Sequence, residues 1–179
     1  MQKSVSMDLD TAIRKVPDFP KPGILFYDVC SIFSNPAAMS YVIDRMAEMF
    51  PAGSVDGVIG IESRGFIVAA PYAIKLGVPM VLARKKGKLP GDTVQESYSL
   101  EYGQATLEIH TADLPAGKRW LVADDLIATG GTIEAVGKMV KRQGSEVGGV
   151  FGIVGLPFLK YADRIGEYNP QVLIEYDSE

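Results

Sequence analysis

Short apolar runs alternate with amphipathic stretches along this chain, the pattern of buried strands interleaved with helices. Val55 to Ile61, Val78 to Ala83, Trp120 to Ala123, Val147 to Val154 and Val172 to Glu175 each have the length and content of a strand. Between them lie helix-period segments with recognisable ends. Asn35 can accept the first free N–H groups of a helix, and Pro36 suits its first turn. The apolar positions run on through Met46, Met49 and Phe50, and Gly53 stops them. Ser63 predicts a cap for a helix from about Gly65 to Leu76, closed by Gly77, and a further helix is predicted from Thr132 to Arg142. From Tyr98 to His110 the alternation predicts a hairpin turning near Tyr102 and Gly103. The expected fold class is therefore α/β: a mostly parallel sheet flanked by helices on both faces, with ligands beyond the carboxyl ends of the strands.

Composition narrows the class. A chain of 179 residues with 47% hydrophobic content is expected to form one compact domain over residues 1–179. Its net charge of −4 argues against nucleic-acid binding by bulk positive charge. A single cysteine, Cys30, excludes an intramolecular disulfide and a cysteine-cluster metal site. With no charged-then-apolar leader and no long apolar run, the expectation is a cytoplasmic protein without a membrane partner. The one histidine, His110, sits in an alternating run and reads as a strand-face residue rather than a catalytic one.

The candidate chemistry centres on the run from Val122 to Thr132. An apolar strand ends in Asp124 and Asp125, then comes the small-residue loop Ala128-Thr129-Gly130-Gly131-Thr132, then a helix start. Backbone N–H groups of such a loop can converge on a phosphate, aided by the positive end of the helix dipole. The paired carboxylates can accept from two neighbouring hydroxyls, as on a ribose, or sit near a divalent cation carried by the substrate. A second junction, Gly60 to Phe66, places Arg64 at a helix start, where a guanidinium and free amides suit pyrophosphate. A third, Arg84-Lys85-Lys86-Gly87-Lys88, gathers four cations after a strand. Spacing alone does not say which of them touches a ligand. The following stretch, from Lys86 to about Tyr98, has little core pattern and is expected to be a mobile lid.

The phosphate loop resembles that of the type I phosphoribosyltransferases. The resemblance narrows to the adenine phosphoribosyltransferases through Pro17-Asp18-Phe19-Pro20-Lys21-Pro22-Gly23, Glu62-Ser63-Arg64-Gly65-Phe66, Arg84 to Gly91, and Tyr98-Ser99-Leu100-Glu101-Tyr102-Gly103. It runs to about Leu156. It implies transfer of ribose 5-phosphate from phosphoribosyl pyrophosphate (PRPP) to adenine, giving AMP and pyrophosphate, with Mg2+ carried on PRPP near Asp124 and Asp125. It implies a homodimer too, with an N-terminal hood over about residues 1–35.

Residue roles implied by the resemblance follow by position. Ala128, Thr129, Gly130, Gly131 and Thr132 take the 5-phosphate, and Asp124 and Asp125 the ribose hydroxyls. Arg64, Arg84, Lys85 and Lys88 take the pyrophosphate. Adenine is expected between Phe26 and Leu126, its edge read near Leu25 and Arg64. Relatives acting on 6-oxopurines carry an acid where this chain has Ala128, so a base must come from elsewhere, and Glu101 matches the family's acid. Its carboxylate would accept the proton lost as adenine N9 attacks, or relieve charge through N7. Tyr27 departs from the family's usual Arg, and the stretch after Pro157 carries no assigned chemistry. A phosphoribosyltransferase for another purine base and a PRPP-sensing regulator are the rival readings.

Overall fold

The computed structural model describes residues 7–99 and 103–178. The chain opens with a short helix α1 (Leu9–Ala12) and an antiparallel hairpin of β1 (Arg14–Pro17) and β2 (Leu25–Asp28), followed by α2 (Cys30–Phe33) and α3 (Pro36–Met49). The hairpin was not legible in the hydrophobic pattern, because its strands are only four residues long and β1 is mostly exposed. Asn35 caps α3 as expected, its side chain accepting from the N–H groups of Ala37 and Ala38.

The central units are β3 (Gly57–Ile61), α4 (Gly65–Leu76), β4 (Met80–Lys85), β5 (Thr93–Ser99), β6 (Gln104–His110), β7 (Arg119–Ala123) and β8 (Leu126–Ile127). They are followed by α5 (Gly131–Arg142), β9 (Glu146–Gly155), α6 (Ala162–Ile165) and β10 (Pro170–Glu175). The strands order as β10-β9-β7-β3-β4-β6-β5, with β8 also on β9. The pairs from β10 to β4 are parallel, while β4–β6 and β5–β6 are antiparallel. Strand periodicity sends alternate residues to opposite cores. Val58 and Leu121 join the face covered by α3 and α4, whereas Ile59 and Val122 join the face covered by α5 and α6. Helices α4 and α5 thus leave neighbouring strands, β3 and β7, for opposite sides of the sheet. That divergence opens a crevice at the carboxyl ends of the two strands.

Two expectations are corrected. The stretch from Lys86 to Tyr98 is not structureless: residues 93–99 form β5, paired along its length with β6. The hairpin therefore begins at Thr93 rather than Tyr98. Its alternation was hidden because residues of β5 are only exposed or half-buried. Ser63 does not cap α4 either; Arg64 occupies that position with no side-chain cap bond. Among the described residues, no helix is long and apolar enough to cross a membrane.

Candidate active site

A cleft of about 360 Å³ lies at the divergence of β3 and β7. One wall is Ile61, Glu62, Ser63 and Arg64, and the opposite wall is Asp124, Asp125 and Leu126. Lys85, Tyr98 and Thr132 close it. Three segments far apart in sequence therefore meet in one place.

Close packing brings the walls together. At Gly65 a Cβ would lie 2.6 Å from the carbonyl oxygen of Ala123 and 3.2 Å from the Cα of Asp124. Only glycine lets the start of α4 approach the end of β7 so nearly. The peptide between Glu62 and Ser63 is cis. Arg64 Nε lies 2.7 Å from Asp125 Oδ2, an ion pair spanning the cleft floor. The contact is close but poorly aligned for a hydrogen bond, and Oδ2 has no aligned donor.

Asp125 is 3% exposed. Its carbonyl oxygen accepts from the N–H groups of Ile153 and Val154, and its own N–H donates to Asp124 Oδ1 at 2.9 Å. Asp124 is partly open to the cleft, yet protein surrounds most of it. Burial, followed by the charge of Asp125, holds its carboxyl well above the usual range. The pair therefore presents one carboxylate whose charge is costly until a donor or cation arrives.

Beyond Leu126, the loop turns through Gly130, whose φ of 76° suits glycine, into α5. The first amides of α5 have no partner within the helix and face the loop end. Gly130 and Gly131 are buried, Thr129 is exposed, and Thr132 reaches the cleft. Thr129, Gly130 and Gly131 adjoin the cleft rather than line it, as does Ala128.

The basic run divides. Lys85 lines the cleft. Arg84 does not: its guanidinium donates to both Glu62 carboxylate oxygens at 3.3 Å and to the Lys88 carbonyl oxygen at 3.3 Å. Burial alone would push the Glu62 carboxyl up, but the Lys85 N–H and the Arg84 guanidinium hold it below the usual range. Lys88 is fixed through its backbone, since its N–H and that of Leu89 each donate to Glu108 Oε1 at 2.8 Å. Glu108, 2% exposed on β6, was missed by sequence reasoning. It looks like an ordinary polar position in an alternating strand, and only the turn folding over it makes it a buried anchor. Tyr98, quoted only within a motif, emerges as a cleft residue.

Leu25 and Leu126 pack on the same core cluster. Phe26 lies outside the cleft lining and meets Phe19 edge to face, with ring centroids 5.1 Å apart. Tyr27 stacks on Tyr176 at 3.7 Å. Glu101 lies outside the described residues.

Comparison with known proteins agrees with this geometry. The phosphoribosyl transferase domain family matches residues 29–156. An adenine phosphoribosyltransferase of Treponema denticola is 54% identical over 171 residues, covering 96% of this chain and 90% of that protein. The crystal structure of adenine phosphoribosyltransferase from Thermoanaerobacter pseudethanolicus superposes with a TM-score of 0.88 at 39% identity, covering 93% of this chain and 97% of that one. The enzyme from Saccharomyces cerevisiae, complexed with an imino-altritol bisphosphate and adenine, gives a TM-score of 0.86 at 36% identity, covering 93% and 96% of the two chains. Strand order, the cleft at the β3–β7 divergence and these likenesses all lead to one conclusion: the chain belongs to the phosphoribosyltransferase family, among its adenine phosphoribosyltransferases.

Proposed function

We propose that this protein salvages adenine, transferring the 5-phosphoribosyl group of PRPP to adenine N9 and releasing AMP and pyrophosphate. The observation that carries this reading is the meeting of the carboxylate pair, Arg64 and Thr132 at the end of the phosphate loop in one cleft. The sugar is held at two ends, which positions its anomeric carbon for attack. Ala128, Thr129, Gly130, Gly131 and Thr132 bind the 5-phosphate through loop and helix amides, while Asp124 and Asp125 accept from the ribose hydroxyls. Arg64 and Lys85 hold the leaving pyrophosphate. Arg84 and Lys88 set the shape of the turn that carries Lys85. Leu25, Phe26 and Leu126 bound the adenine, with a backbone group of Arg64 at its edge.

The bond from C1 to pyrophosphate breaks through an oxocarbenium-like state as the bond to N9 forms. The proton lost from the purine passes to Glu101, from N9 directly or through N7. The residues present fit Mg2+ arriving on PRPP. Asp125 Oδ2 is a buried oxygen without an aligned donor, and carboxylate oxygens suit a hard cation. Among the described residues, no cluster of His, Cys, Asp or Glu could house a metal by itself. When bound, Mg2+ supplies charge neutralisation on the pyrophosphate oxygens.

A homodimer belongs to the same reading. Ile67 and Ile74 stand 42% and 84% exposed on α4, an apolar stripe that a second copy would cover. A single domain with an N-terminal hood over about residues 1–35 is likewise proposed, as is a cytoplasmic location, where Cys30 stays a thiol.

The test is nucleotide formation from PRPP and Mg2+ with adenine, hypoxanthine, guanine or xanthine. AMP from adenine alone, lost in Glu101→Ala with PRPP binding retained, is the expected result. Product from an oxopurine overturns the base assignment. Tight PRPP binding without turnover makes the protein a regulator instead.

A further inference from the structure

The hairpin that carries Phe26 is a two-stranded sheet of its own, unconnected by backbone pairing to the central sheet. A two-stranded hairpin is marginal alone, so side-chain contacts must fix where it sits. On β2, alternate residues point to opposite faces. Phe26 lies on one face with Phe19, and Tyr27 on the other, buried at 8% exposure.

Tyr27 is held by residues from the other end of the chain. Its ring lies parallel to that of Tyr176, with centroids 3.7 Å apart and planes 10° from parallel. The Tyr27 hydroxyl donates to the Ser178 carbonyl oxygen at 3.2 Å, and the Tyr176 hydroxyl donates to Asp10 Oδ1 at 2.8 Å. Asp10 also accepts from Lys15 Nζ at 2.5 Å, and Lys15 is the register partner of Tyr27 on β1. Asp10, Lys15, Tyr27 and Tyr176 thus form a closed clasp.

Its fixed end is the central sheet. Tyr176 follows β10 directly, and its N–H donates to the Gly155 carbonyl oxygen at the end of β9. Leu126 and Ile127 pair with Val154 and Gly155 of that same strand end. The two sides of the adenine slot, Phe26 and Leu126, are therefore both referred to the carboxyl end of β9. Leu126 is referred by backbone pairing and Phe26 by the stacked tyrosines.

We propose that the C-terminal segment Tyr176 to Ser178 is a positioning element for the adenine slot, setting the aim of Phe26 through the stack of Tyr176 on Tyr27. The proposal rests on the reading of Phe26 as a base-stacking residue. Among the described residues, no hydrogen bond, ion pair or ring contact joins Asp10, Lys15, Tyr27 or Tyr176 to the phosphate loop, the carboxylate pair or the Arg64 turn. Loosening it therefore weakens adenine binding and leaves the sugar phosphate end alone.

The experiment measures KM for adenine and for PRPP separately, with kcat and Tm, in Tyr176→Leu, Tyr176→Phe, Asp10→Ala and Phe26→Ala. Tyr176→Leu should raise KM for adenine about three- to tenfold, the worth of an aromatic pair, with KM for PRPP unchanged. Tyr176→Phe keeps the stack and loses one hydrogen bond, so its KM for adenine should rise less than that of Tyr176→Leu. Asp10→Ala frees the Tyr176 hydroxyl without emptying the core and reads the same split, more weakly, if Tyr176→Leu does not fold. An unchanged KM for adenine, or equal rises for both substrates, in Tyr176→Leu or, should that not fold, in Asp10→Ala overturns the clasp. Phe26→Ala separates the two readings. A raised KM for adenine there, with none in the clasp variants, removes the clasp alone; no rise in Phe26→Ala removes the base-slot reading and the clasp with it.

Discussion

Arg64 Nε lies 2.7 Å from Asp125 Oδ2, joining the turn after β3 to the carboxylate pair after β7 across the cleft floor. The guanidinium is 41% exposed and the carboxylate 4%, so the arginine faces the solvent side of the pair. It can reach an incoming pyrophosphate while it keeps the buried charge company. In the proposed reading, binding and folding thus share one side chain.

Removing that side chain leaves Asp125 charged and unpaired. Arg64→Ala should cost about 1–3 kcal/mol, the penalty of an orphaned buried acceptor. The added Asp125→Asn change should recover most of that stability without recovering activity. Urea unfolding of the single and double variants, with turnover measured beside it, checks both halves; full additivity would remove the pairing.

Asp124 carries a pH signature. Burial and the Asp125 charge raise its folded pKa above the ordinary 3.8. The folded state then binds more protons than the unfolded one, so this group's contribution is fullest below the unfolded value and is lost as pH rises through the folded one. Asp124→Asn should therefore raise the Tm of the ligand-free protein at neutral pH, with the gain shrinking as pH falls toward 3.8. Turnover should fall at least about tenfold if Asp124 accepts from a ribose hydroxyl as proposed, because that acceptor is weakened. Thermal melts across the pH range decide it; a gain that does not shrink in acid would point to another cause.

Gly65→Ala tests how closely the walls approach. The added methyl would meet backbone at 2.6 Å, which cannot move aside as a flexible side chain would. The expected cost is about 1–3 kcal/mol of overpacking, with KM for PRPP raised as Arg64 shifts from Asp125. Near-wild-type kinetics and Tm would mean the approach is looser than 2.6 Å.

Glu108 anchors the basic turn. Burial opposes its charge, but the amides of Leu89, Gly87 and Lys88 prevail and hold its carboxyl below the ordinary 4.5. A lowered folded pKa contributes stability above the unfolded value that is lost as pH falls through the folded one. Glu108→Gln should cost about 1–2 kcal/mol at neutral pH, the difference between charged and neutral acceptors. The cost should fade in acid, and KM for PRPP should rise because Lys85 sits at the root of the turn. Denaturation at neutral and acid pH, beside PRPP kinetics, measures this.

The α/β class, most central elements and the phosphate loop were legible because each rests on local signals. Asn35 before Pro36 marks a cap, Gly77 an end, and the Asp124 to Thr132 run an order of strand, acids, loop and helix. Strand β5 was read as part of a lid, because its half-exposed residues show no apolar face until β6 and α5 are beside it. Arg84 and Lys88 read as equivalent to Lys85. Only the fold turns the Arg84 guanidinium toward Glu62 and lays the Lys88 amide on Glu108.

By itself the sequence determined most of the central strands and helices and which residues have the chemistry to hold a sugar phosphate, because periodicity, caps and loop composition act over a few residues. The tertiary structure alone decided which of those residues meet. The opposite exits of α4 and α5 from neighbouring strands, and the backbone approach that Gly65 allows, place Arg64 beside Asp125 although 60 positions separate them in the chain. Contacts of that range depend on how the sheet is wound and packed, which no local pattern records.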